Sequence, residues 1–208
     1  MAERRWVFGL LLAVAAATGA AGCAESDPKK AHIESQRRSA NLAGLAKDVT
    51  TSDLESARMA VRALGTLGPQ AVPHLEPALQ DARIEVREEA ALAYGQAAAG
   101  DQIHRLASVV RSDPSPEVRA AAATALGNAH AVNEMEAILA ALEDPDSTVR
   151  ARANAAVTRI FGRRYETYVD GTPQQRQEAV AALRRDWQTE ERGTRAYYQS
   201  TREAKPGR

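Results

Sequence analysis

Residues 113–127 read DPSPEVRAAAATALG. The frame recurs on both sides. Asp81-Ala-Arg-Ile-Glu-Val86-Arg87 and Asp144-Pro-Asp-Ser-Thr-Val149-Arg150 repeat Asp113-Pro-Ser-Pro-Glu-Val118-Arg119, with the Asp residues spaced by 32 and 31. Eight residues after each Arg stand Gly95, Gly127 and Thr158. Thirty residues before Gly95, Gly65 closes an earlier copy in which Ser56-Ala57 replaces Val-Arg. Four copies in phase are the signature of a repeat array.

Each copy has helical periodicity. Ala60, Ala63 and Leu64 correspond to Ala90, Ala93 and Tyr94, to Ala122, Ala125 and Leu126, and to Ala153, Ala156 and Val157. Spacings of three and four keep each set on one helix face. After the Gly comes a break, then a second apolar series: Val72, Leu75, Leu79; Ile103, Leu106, Val110; Val132, Met135, Ile138, Leu142. One unit is therefore helix, tight turn, helix. Pro69, Pro114, Pro116 and Pro145 lie at or beside helix starts, where a missing N–H costs nothing. Composition agrees with an all-α fold. Alanine, the best helix former, supplies 44 of 208 residues, and aromatics are only 4%.

This pattern resembles the HEAT repeat, in the subtype shared with phycobilisome-lyase-type proteins, over residues 53–160. The resemblance implies a right-handed α-solenoid of about four repeats whose second helices line a concave surface. No single helix pair buries both its faces, so the ends need covers. Residues 31–52 are expected to give an N-terminal capping helix burying Ile33, Leu42 and Leu45. Residues 161–188 are expected to close the other end, with a helix from Thr172-Pro173 burying Val180, Leu183 and Trp187. Phe161, Tyr165, Tyr168 and Trp187 form the expected aromatic plug. The polar tail, 189–208, reads as disordered.

Residues 1–22 carry Arg4 and Arg5 and then an apolar run from Val7 to Ala21, too short for a membrane span and right for a secretory signal. The segment Ala20-Ala21-Gly22-Cys23 resembles a bacterial lipobox and contains the chain's only Cys, so lipidation at Cys23 is expected. Residues 23–30 follow as the acylated Cys and a short linker. In the sorting logic of such lipoproteins, Ala24 in place of Asp points to the outer membrane, facing the periplasm.

Chemistry-bearing motifs are missing. His32, His74, His104 and His130 form no metal-ligand pair, there is no nucleophile elbow, and there is no phosphate-binding glycine loop. With 27 basic and 27 acidic side chains the chain offers no global attraction for nucleic acid. No cofactor, metal or nucleic-acid partner is expected. The row Asp81, Asp113, Asp144 and Arg87, Arg119, Arg150 reads as a structural ladder, each Asp holding turn N–H groups and each Arg reaching the next repeat. The expected function is a membrane-anchored, non-catalytic scaffold for a protein or peptide. His74, Glu76, His104, Arg105, Glu134 and Glu136 on the second helices are its candidate contacts. The alternative is a lyase-like enzyme or accessory protein, suggested by the repeat subtype alone.

Overall fold

The computed structural model describes residues 27–203, with side chains described to residue 189. The signal segment and Cys23 lie outside the described residues.

Among the described residues all regular structure is helical. The order is α1 (Pro28–Arg38), α2 (Leu42–Val49), α3 (Leu54–Gly65), α4 (Val72–Leu75), α5 (Ile84–Ala97), α6 (His104–Ser112), α7 (Pro116–Asn128), α8 (Met135–Ala141), α9 (Ser147–Phe161) and α10 (Pro173–Glu203). Short 3-10 turns flank α4 and lead into α6 and α8. The helix starts are chemically explicit. Asp53 Oδ2 accepts from the Ser56 N–H at 2.9 Å, and Asp146 Oδ1 accepts from the N–H groups of Thr148 and Val149. Thr172 and Gln175 exchange side-chain and backbone hydrogen bonds to open α10, a reciprocal capping box. No described helix is long and apolar enough to cross a membrane.

The helices stack in two layers. The first helices α1, α3, α5, α7 and α9 follow one another in one layer, with α2 beside α4 and α6 beside α8 in the other. Alanine sets the spacing of the first layer. Ala60, Ala90, Ala122, Ala153 and Ala156 are fully buried, and so are the larger Leu64, Leu75, Leu106, Leu126 and Ile138 between the layers. At Gly65, Gly95 and Gly127 the next first helix comes so close that an added Cβ would lie 2.9, 2.6 and 2.7 Å from Ala93, Ala125 and Ala156. The recurrent Gly is thus a contact point between repeats. Thr158 holds that position in α9, which no further first helix follows.

Four expectations at the ends need correction. The N-terminal cap is not one helix over 31–52 but a pair, α1 and α2. The break comes where Ser39 Oγ donates to the carbonyls of Ser35 and Gln36, and Asn41 Oδ1 accepts from the Gly44 N–H to start a new helix. The first helix also begins inside the segment read as linker, at Pro28, capped by Asp27. At the other end α10 continues past 188 to Glu203 through residues read as disordered. Three Glu and three Arg lie in that stretch and favour helix once one is under way. Tyr168 is 44% exposed with a left-handed φ of 49° and takes no part in the plug. Val180 and Leu183 are buried, Trp187 is half-buried against the core, and Phe161 meets Tyr165 edge to face at 5.3 Å.

Candidate interaction surface

The turns between repeats carry a row of arginines and aspartates. Arg87 grips Asp113 with two parallel bonds, Nε to Oδ2 at 3.0 Å and Nη2 to Oδ1 at 3.2 Å, and its Nη1 donates to the carbonyls of Asp81 and Ala82. Arg119 does the same one repeat on. It reaches Asp144 at 2.8 and 2.9 Å and donates to the carbonyls of Asp113 and Pro114. Asp113 and Asp144 also accept the N–H two residues ahead, at Ser115 and Asp146. Each rung therefore ties a helix start to its own turn and to the next turn in the stack. Fork-to-fork geometry with little exposure makes these strong contacts.

The two ends of the row are built differently. Arg150, buried at 8% exposure, finds no further Asp among the described residues, and its Nε donates to the Val169 carbonyl at 2.6 Å while Nη1 donates to the carbonyls of Asp144 and Pro145. At the first repeat Ala57 stands where the Arg would be. Arg83 replaces it from the far side: it pairs with Asp81 through Nε and Nη2 and donates to the carbonyls of Thr51 and Val49. Its hydrogen bonds hold the Asp81 carboxyl below the usual range against the opposing effect of burial.

A second inter-repeat tie was not visible in the repeat pattern. Glu89 on α5 receives Arg62 Nε and Nη2 at 2.8 and 2.6 Å, with Arg58 Nη2 at 3.4 Å. Burial pushes the Glu89 carboxyl up, but the two arginines outweigh it and hold it low. The equivalent positions in the following repeats are Ala121 and Arg152, so no recurrence marks Glu89.

On the second helices, Glu76, His104, Arg105 and Glu136 are exposed and His74 is half-buried. The charges of Glu76 and Arg105 act on the buried Tyr94 hydroxyl in opposite directions. Burial is the main reason that this phenol lies above its ordinary range, and the hydroxyl donates to the Gln102 carbonyl at 3.2 Å. Three of the six candidate contacts, His104, Glu134 and Glu136, are already engaged. Glu134, expected on the open face, is buried at 6% exposure and pairs with His104 Nδ1. Its 3-10 turn folds the carboxylate inward where α8 begins. Glu136 is held by Arg184 of α10, with Nη2 to Oε2 at 3.0 Å. Among the described residues no group of three or more His, Cys, Asp or Glu is placed to hold a metal ion.

The stack and its ladder define an α-solenoid of helical repeats. The chain belongs to the HEAT-repeat family: the model described as HEAT repeats matches residues 42–127 and 103–197. No curated protein matches the chain. It is similar in structure to two designed armadillo repeat proteins. YIII(Dq)4CqI is 22% identical with a TM-score of 0.43, the match covering 72% of this chain and 75% of that one. YIII(Dq.V1)4CPAF, solved in complex with the peptide (KR)4, is 21% identical with a TM-score of 0.46, covering 74% and 76%.

Proposed function

We propose that this protein is an exported, lipid-anchored and non-catalytic interaction scaffold of a bacterial cell envelope. It is held by Cys23 at the outer membrane and binds a protein or peptide on its second-helix face. One observation carries the reading. On the first helices Arg62, Arg87, Glu89 and Arg119 are consumed in ties between repeats, whereas Glu76 and Arg105 on successive second helices are exposed, opposite in sign and free of any partner within the described residues. An exposed pair of that kind suits a polar segment laid across the repeats. Photocrosslinking in cells tests it. A photoreactive residue at position 76 or 105 should give one discrete adduct, and the same residue at exposed Glu85 should give none. Equal labelling from all three positions would remove the second-helix face from consideration. The anchor is tested separately: Cys23→Ser should leave the detergent phase.

A further inference from the structure

Four residues after the ladder arginine, each inner repeat has a position shut between successive first helices. Ala91 and Ala123 stand there with 0% exposure, as does Val61 in the first repeat. In α9 that position is Asn154, and its Oδ1 is closed off from water with no hydrogen-bond donor. No first helix follows α9. The segment 162–172 turns back along it instead, pinned by Arg150 to the Val169 carbonyl and by Tyr165 against Phe161. Between this strap and α9 runs a groove of about 460 Å³ with Asn154, Ala155 and Thr158 as its floor, Tyr165 as a wall, and Arg159 and Arg164 at its rim.

Charge distinguishes this groove from the rest of the stack. Residues 53–158 hold 15 acidic and 9 basic side chains, and 159–208 hold 7 and 11. Arg159 and Arg164 are exposed and have no ion pair within the described residues; so is Arg152, two turns earlier on the same face of α9. An orphaned buried acceptor calls for a donor. Unpaired guanidinium groups beside it call for carboxylates. The small side chains of the floor let a backbone come close. We propose that this groove is a second binding site, distinct from the second-helix face, and that it takes an acidic peptide segment of another protein. Carboxylates seat on Arg159 and Arg164, and a backbone N–H of the segment reaches Asn154 Oδ1. The segment fills the place of the first helix that the stack lacks.

The probe is a fluorescein-labelled peptide of alternating Ala and Glu, titrated by anisotropy into the full chain in mild detergent. Saturable binding is expected. The double variant Arg159→Glu/Arg164→Glu should weaken it at least about tenfold with an unchanged helical spectrum, since both side chains are exposed. Asn154→Leu should weaken it less, severalfold, and tests the amide apart from the charges. Lys29→Glu/Lys30→Glu makes the same charge change at the other end of the stack and should leave binding intact. Equal weakening by both double variants would reduce the effect to net charge and overturn the proposal, as would the absence of saturable binding. Sedimentation covers the remaining occupant: a dimer that Arg159→Glu/Arg164→Glu dissociates would make the groove a self-association site, also overturning it.

Discussion

His130 closes α7 in a conformation that suits glycine. Its φ is 49°, its N–H donates to the Gly127 carbonyl at 3.2 Å, and the Ala131 N–H donates to the Leu126 carbonyl at 3.0 Å. These are the paired bonds of a Schellman motif, whose left-handed residue is usually Gly because a Cβ there costs roughly 1–2 kcal/mol. The exposed imidazole has no compensating partner within the described residues. His130→Gly should therefore raise stability by about 1 kcal/mol, read as a higher midpoint in urea with an unchanged slope. Glu89 supplies a pH test. Its carboxyl is held below the ordinary range in the fold, so its contribution is complete above the free-chain value of about 4.3 and is lost as pH falls through the lower folded value. The melting-temperature gap between the native chain and Glu89→Gln should be constant from pH 7 to about 5 and should close in more acidic buffer. A gap that stays open at pH 3 would assign the loss to packing.

At the scale of helices, the repeated contact is between one first helix and the next. Gly127→Ala adds a Cβ that would sit 2.7 Å from Ala156 Cα, so backbone must move. Alanine has the better helix propensity by about 1 kcal/mol, but forced separation of two packed helices typically costs about 1–3 kcal/mol. The substitution should destabilise, and calorimetry should show it. Gly100→Ala is a control of a different kind: nothing lies near its Cβ, and only its φ of 56° is strained. The ladder belongs to this scale as well. Arg119→Ala strips Asp144 of both guanidinium bonds and leaves two carbonyls without their donor, so a loss of about 1–3 kcal/mol is expected.

In the whole molecule each helix pair leans only on its neighbours, and a stack of that kind has stability that adds unit by unit and interface by interface. Leu183, 1% exposed on α10, closes one end. Leu183→Ala should cost about 2–5 kcal/mol. Hydrogen exchange should rise first in α10, α9 and α8 while α1 to α3 keep their protection. A uniform rise along the chain would show a single cooperative unit instead of a nearest-neighbour array.

The sequence by itself determined the helix pairs of the repeats, the period, the recurrent Gly and the residue types of the ladder. These features recur, and each copy solves the same packing problem against the same neighbour. Only the tertiary structure decided what occurs once. Arg83 takes over the first rung because Ala57 leaves Asp81 and two carbonyls open on that side. Glu89 pairs with Arg62, Glu134 turns inward to His104, and Glu136 is claimed by Arg184 of a helix far along the chain. Asn154 looks like any polar helix residue until its neighbours are known, and then its Oδ1 proves to be enclosed without a donor. A periodic contact is local and repeats its own evidence. A singular one depends on which side chains converge when the ends of the stack fold back, and no pattern along the chain records that.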